Sequence, residues 1–388
     1  MFSRAAVITG CGAVSPLGVG VRALWEGLLA GRTAIAPITG FPADDLTPRT
    51  AAEVRHFAAT DPDRAGAFVL AAGSEALADA ALDPRALGAG RLGVAVGTTL
   101  GGMGLFERWM AGDELPPAGI GSIPYYAPAV RLARTLPCRG PVATTQLACA
   151  SGTHAIALAA DWVRAGRADV VLAGGTDLLC RFVVSGFNCL RATADVARPF
   201  DAARRGLVLG EGAAVVLVEE AGHAARRGAR VLARVLGVGA AGDATHMTAP
   251  DREGGGVARA LRAALAEAAR PPGAVGFVSA HGTGTPYNDA MEAVALTRVF
   301  GHRAVPVNSI KGAIGHTLGA AGAFEAIVCA RVLAEGRIPP TAGLATPDPA
   351  CDGLDLVMGT ARLHAVELAV SSSSGFAGSN AALVLGRA

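Results

Sequence analysis

Pro141–Ala165 reads PVATTQLACASGTHAIALAADWVRA, and its reading decides the fold. Pro141–Ala148 is strand-like, and Ser151–Ala165 has the small-residue pattern of a buried helix. Between them stands Cys149, where the strand gives way to the helix. Outward from this joint the same order recurs. Ala5–Gly10, Leu92–Val96, Val170–Gly174 and Val275–Ala280 read as buried strands. Val21–Ala30, Ala65–Leu82, Val257–Ala269 and Gly319–Glu335 read as helices. Ala213–Glu219 and Ala229–Gly237 read as a strand pair around a turn, and Leu368–Ser374 and Asn380–Leu385 as two closing strands. Buried strands alternating with helices predict an α/β fold with parallel sheets covered on both faces. Both halves carry the same order of elements. The expectation is two similar halves, 1–226 and 227–388, hinged near Ala221–Gly228.

Composition excludes several classes. Of 388 residues 51% are hydrophobic and only 17% charged, which rules out dominant disorder and predicts a large core and an oligomer. A net charge of +2 excludes a strongly basic nucleic-acid binder. Mean hydropathy is +0.41. Even so, no apolar run of about 18 residues is free of Gly, Pro or charge, so no membrane span is expected. The first residues show no signal peptide pattern. Seven Cys without a C-x-x-C pair suggest free thiols and a cytoplasmic protein. Of these, Cys11, Cys138, Cys180, Cys189, Cys329 and Cys351 sit mostly among small apolar residues, as buried thiols do. Lys311 is the only lysine, the other 33 basic residues being arginine. GC-rich coding accounts for the bias but not for the one position kept. An ammonium and a guanidinium are not interchangeable at a packed polar site.

Three segments carry chemistry. Cys149 lies at the first turn of a helix, where free N–H groups and a partial positive charge favour a thiolate nucleophile. The bland alternative is an inert buried thiol. His281-Gly282-Thr283-Gly284-Thr285-Pro286 follows a buried strand, the placement of an active-site residue in α/β proteins, or else of a structural His in a Thr-rich turn. Lys311-Gly312-Ala313-Ile314-Gly315-His316 precedes a long helix of small residues. It is not a phosphate-cradling loop, because the Lys precedes the glycines. Nor do the two His have metal-ligand spacing, so no metal is expected. One Cys and two His at such joints suggest thiol catalysis with imidazole help.

Taken in this order, the three segments resemble the signature blocks of the β-ketoacyl-acyl-carrier-protein synthases, condensing enzymes of the thiolase superfamily. Arg198-Pro199-Phe200-Asp201, Gly210-Glu211-Gly212, Asp243–Pro250 and Gly375-Phe376 fit in order, so the likeness spans nearly the whole chain. It implies the five-layer αβαβα thiolase fold, at least a dimer, and decarboxylative condensation of an acyl thioester with malonyl-carrier protein. By the same resemblance Cys149 takes the acyl group. His281 and His316 donate to the malonyl carbonyl. Lys311, held by Glu292, orders the His pair. The N–H groups of Cys149 and Phe376 form the oxyanion site. Thr283, Thr285 and Thr248 bind the phosphopantetheine arm, which arrives on the carrier protein, so no separate cofactor is implied. Arg191 is the first candidate for carrier docking, ahead of Arg204 and Arg205.

Relatives often carry an aromatic residue two before the gating Phe and two glycines after it. Here Ser374 and Ala377 take two of those places, which tilts the reading from housekeeping fatty-acid elongation towards a type II polyketide or polyene pathway. A silent chain-length-factor subunit would lack the nucleophile. A thiolase would have a second Cys near the C-terminus. Acetyl-CoA priming goes with a Cys-His-Asn set. The partner expected is a second copy or a chain-length-factor subunit.

Overall fold

A computed structural model of the chain describes residues 4–57, 61–88, 90–136 and 138–388. One twelve-stranded sheet runs through it, made of two five-stranded units of like order plus two short flanking strands. In the first unit β1 (Ala6–Ser15), β2 (Leu92–Gly97), β3 (Val142–Thr145), β4 (Val170–Asp177) and β5 (Gly212–Glu220) lie in the order β3-β2-β4-β5-β1. In the second, β6 (Ala233–Gly242), β7 (Phe277–Ser279), β8 (Pro306–Asn308), β9 (Leu368–Gly375) and β10 (Ser379–Gly386) lie in the order β8-β7-β9-β10-β6. The first three strands of each unit run parallel and the last two close it antiparallel, so each unit is mixed rather than wholly parallel.

Ala213–Glu219 lies within β5, but of Ala229–Gly237 only the part from Ala233 is strand, and the two are not partners. β1 lies between β5 and β6, bonding β5 along most of its length and β6 only at Ala6–Ile8. The expected hinge is a short helix, Ala221–Arg226, capped by the Glu220 carboxylate. The joint therefore has ladder bonds on one side and a capped turn on the other.

Helices fill the spaces. α1 (Arg64–Asp79) and α2 (Ala127–Thr135) cover one face of the first unit. α4 (Gly255–Glu267) and α5 (Pro286–Phe300) cover the far face of the second. Between the two units lie α3 (Ser151–Arg164) and α6 (Ala321–Glu335), in the largest apolar cluster. The result is the five-layer αβαβα arrangement. α6 is buried on nearly every side, as its run of Ala, Val and Ile requires. The small residues have a steric reason. A Cβ on Gly97 would sit 2.4 Å from the carbonyl carbon of Ser151, so β2 can lie against the start of α3 only as glycine.

All seven cysteines are free thiols; Cys189, however, is exposed and Cys138 half-buried, which departs from the expectation of burial. No helix among the described residues is long and apolar enough to cross a membrane.

Candidate active site

Four strand ends meet at one cavity. Cys149 stands after β3, His281 after β7, His316 after β8 and Phe376 after β9, and all four line it. The turn holding Cys149 is strained. Ala148 has φ +48°, a left-handed value that costs an L-residue roughly 1–2 kcal/mol. Two bonds hold it there: Ser151 Oγ donates to Ala148 O at 2.6 Å and accepts from Leu147 N at 2.8 Å.

Cys149 is not the readily ionised thiol that its place before α3 predicts. Burial pushes it up to about 12, against a smaller opposing pull from Lys311. Desolvation of an anion outweighs the partial charge of a helix start. The resting sulfur is a thiol.

The imidazoles of His281 and His316 meet edge to face, ring centres 5.2 Å apart. Burial, then the Lys311 charge, holds both well below the usual imidazole range, so both are neutral. Lys311 Nζ bonds His281 O at 2.5 Å and lies 3.4 Å from His281 Nδ1. An ammonium can only donate, so Nδ1 of His281 accepts and its Nε2 carries the proton. His316 is fixed through its backbone, its N–H donating to Val208 O at 2.7 Å and its carbonyl accepting from Gly210 N at 2.9 Å.

The carboxylate facing Lys311 is Glu325, at 2.6 Å, and not Glu292. Glu292 lies beneath the His281 loop instead and accepts from the N–H groups of His281 and Gly282, both at 2.7 Å. Burial raises it to about 7 against those two bonds. Glu325 belongs to α6, fourteen residues past Lys311, and also accepts from Ser373 Oγ at 3.1 Å. One signal marked it, a carboxylate inside an otherwise apolar stretch, Gly319–Ala330. Asp289 was missed too. It accepts from Thr283 N at 3.0 Å and Phe200 N at 2.7 Å and shapes the Thr-rich turn.

Thr283, Thr285 and Thr248 all line the cavity, the first two joined at 2.9 Å. Phe376 stacks on Phe187 with ring centres 5.6 Å apart. A Cβ on Gly375 would sit 3.1 Å from Cys149 N, which shows how closely the Phe376 turn adjoins Cys149. Ala377 takes φ +62°, a glycine-like conformation held by an Ala. Ser374 is buried in the cavity wall with its hydroxyl unpaired. Arg191 and Arg205 are exposed at the cavity. Arg204 is not a docking candidate, being buried in an ion pair with Asp348. Among the described residues no cluster of His, Cys, Asp or Glu is arranged to hold a metal.

The sequence matches the family description "Beta-ketoacyl synthase, N-terminal domain" over residues 3–224 and "Beta-ketoacyl synthase, C-terminal domain" over 232–345. The chain belongs to the β-ketoacyl synthase family. Among similar members is 3-oxoacyl-[acyl-carrier-protein] synthase 2 of Coxiella burnetii, 38% identical over 100% of this chain and 99% of that protein. Another is the tetracenomycin polyketide synthase ketoacyl synthase alpha subunit of Streptomyces glaucescens, 39% identical over 98% and 96%. The solved ishigamide ketosynthase/chain length factor superposes with a TM-score of 0.93 at 37% identity, covering 100% of both chains. This β-ketoacyl synthase has the thiolase fold and is an acyltransferase, acting by decarboxylative Claisen condensation.

Proposed function

We propose that this β-ketoacyl synthase extends acyl chains held on an acyl carrier protein in a type II polyketide or polyene pathway. One observation carries the reading of the site: two neutral imidazoles stand edge to face in the cavity that holds Cys149, and Lys311 sets the tautomer of one. Neutral N–H groups lining one cavity suit a developing enolate oxygen, which must be stabilised without a proton being given away.

In the first half-reaction the Cys149 sulfur attacks the acyl thioester. The carrier's pantetheine thiolate leaves, and takes up the proton that Cys149 gives up. The N–H groups of Cys149 and Phe376 face the oxyanion. In the second, malonyl-carrier protein enters along Thr283, Thr285 and Thr248. Its C–C bond to the carboxylate breaks, CO₂ departs, and the electron pair becomes an enolate whose oxygen accepts from His281 and His316. The enolate carbon then attacks the acyl carbon, and the Cys149 sulfur leaves as thiolate and takes a proton from solvent water. Lys311 and Glu325 hold His281 and add no proton step of their own.

Ser374 and Ala377 support the polyketide side, as do relatives named for polyketide synthases. A chain-length-factor subunit or a second copy completes the enzyme. β3 is a sheet edge with Val142 exposed, and Phe106, Trp109, Tyr125 and Tyr126 are exposed in the same half. Seven free thiols fit a cytoplasmic setting, where carrier proteins are loaded.

The test separates the half-reactions. Wild type should transfer an acyl group to Cys149, release CO₂ from malonyl-carrier protein, and form a β-ketoacyl product. Cys149→Ala should lose acylation and product while staying folded. Acyl mass recovered on Cys138 or Cys189 instead would overturn the assignment.

A further inference from the structure

Asp177 ends β4, is fully buried, and has no part in the mechanism above. Its carboxylate accepts from Thr98 Oγ1 at 2.8 Å, Thr99 N at 2.9 Å, Leu100 N at 2.9 Å and Gly319 N at 2.6 Å. The first three partners belong to the loop after β2, in the first half. Gly319 belongs to the turn after His316, in the second. Thr99 carries the contact further, because its Oγ1 donates to Ala148 O at 3.3 Å, the residue before the nucleophile. One carboxylate thus grips the turn that carries His316 and the loop that steadies Cys149.

The grip is tight. A Cβ on Gly319 would lie 2.8 Å from Asp177 Oδ2 and 2.8 Å from Thr98 Cα. It is also reciprocal. β4 and β9 hold equivalent places in their units, and each strand end crosses to the other half: Asp177 to the turn before α6, Gly375 to the turn before α3. Among the described residues Asp177 has no ion-pair partner, so its charge is met by the donors alone. That charge works against the nucleophile, since Asp177 is one of the groups that raise Cys149. A carboxylate kept where its charge opposes thiolate formation serves through its geometry.

We propose that Asp177 is a positioning residue that holds the His316 turn and the Cys149 turn in register, so that enolate and acyl thioester meet at bonding distance. This rests on the condensing activity proposed above.

The test uses full-length protein, with its partner subunit where one co-purifies, and two variants. Asp177→Asn turns an N–H donor towards backbone donors, and Thr99→Val cuts only the link to Ala148. Each is assayed for acylation by an acyl-pantetheine thioester, for CO₂ release from malonyl-carrier protein, and for product. A misplacement of about 1 Å costs ~10²-fold in a reaction that needs two aligned partners. Product formation in Asp177→Asn should therefore fall ~10²-fold, while each half-reaction stays within about threefold of wild type. Thr99→Val should show the same pattern at about tenfold, and it decides the matter if Asp177→Asn does not fold. Parallel loss of all three activities in a folded Asp177→Asn protein, or product formation as fast as in wild type, overturns the proposal. Absence of product from wild type would instead overturn the condensing activity.

Discussion

Lys311 shows what a single side chain can be asked to do. It is 2% exposed and touches Glu325, His281 O and His281 Nδ1, three acceptors in different directions around one nitrogen. A guanidinium spreads its donors in a plane and needs more room. Lys311→Arg should keep the charge and still lower condensation by ~10²-fold or more, of the order seen when an oxyanion donor is lost. Near-normal turnover of that variant would show that charge alone matters. Glu292 makes a pH prediction. Its carboxylate, raised to about 7, is the acceptor for the His281 and Gly282 N–H groups. As pH falls through 7 the carboxylate gains a proton and loses acceptor capacity, so CO₂ release should decline on the acid side. Neither imidazole supplies this limb, because both stay neutral well below 6.5. Glu292→Gln should lower the plateau and flatten the limb; a limb left in place at the same pH would assign it elsewhere.

At the scale of elements, α6 carries a buried charge through an apolar helix, and that choice is costly unless paired. Removing one partner of a buried ion pair costs about 3–5 kcal/mol, whereas replacing both by apolar residues is often neutral. Glu325→Ala should thus lower the melting temperature sharply. Lys311→Met with Glu325→Leu should recover stability but not activity, which thermal unfolding and product assays would show together. The pair also marks a limit of the sequence. Strand-to-helix joints at Cys149, His281 and Lys311 were legible because buried runs and Gly-rich turns are local signals. The partner of Lys311 was not, since the turn at His316 and the start of α6 decide which carboxylate returns to it. Glu292, which the resemblance set against Lys311, acts on backbone instead. The pairing of β5 with β6 was misread for the same reason: adjacency in sequence suggested a hairpin, while β1 from the chain start fills the gap.

For the whole molecule, a net charge of +2 gives no general attraction for an acidic carrier protein, so attraction must be local. Arg191 is exposed at the cavity mouth, in a left-handed turn, and makes no ion pair among the described residues. Charge steering acts on encounter and weakens with salt. Arg191→Glu should raise KM for acyl-carrier protein and flatten its salt dependence, yet leave turnover of a small pantetheine thioester nearly intact. Equal loss with both substrates would make Arg191 structural. Local patterns gave the α/β class and the three segments that meet at the cavity, whereas the five layers came from the family resemblance. The mouth was less legible, because Arg204 and Arg205 are neighbours in sequence but one is buried and the other exposed.

The isolation of Lys311 has a practical consequence. It is the only lysine and is sealed in the interior. Apart from the chain's α-amino group, an acylating amine reagent finds nothing to label on the native protein. Every molecule that opens offers it one more amine and gains one more tag. Counting tags by intact mass therefore counts openings, so amine labelling becomes a digital clock for excursions of the active-site core, with no engineered probe.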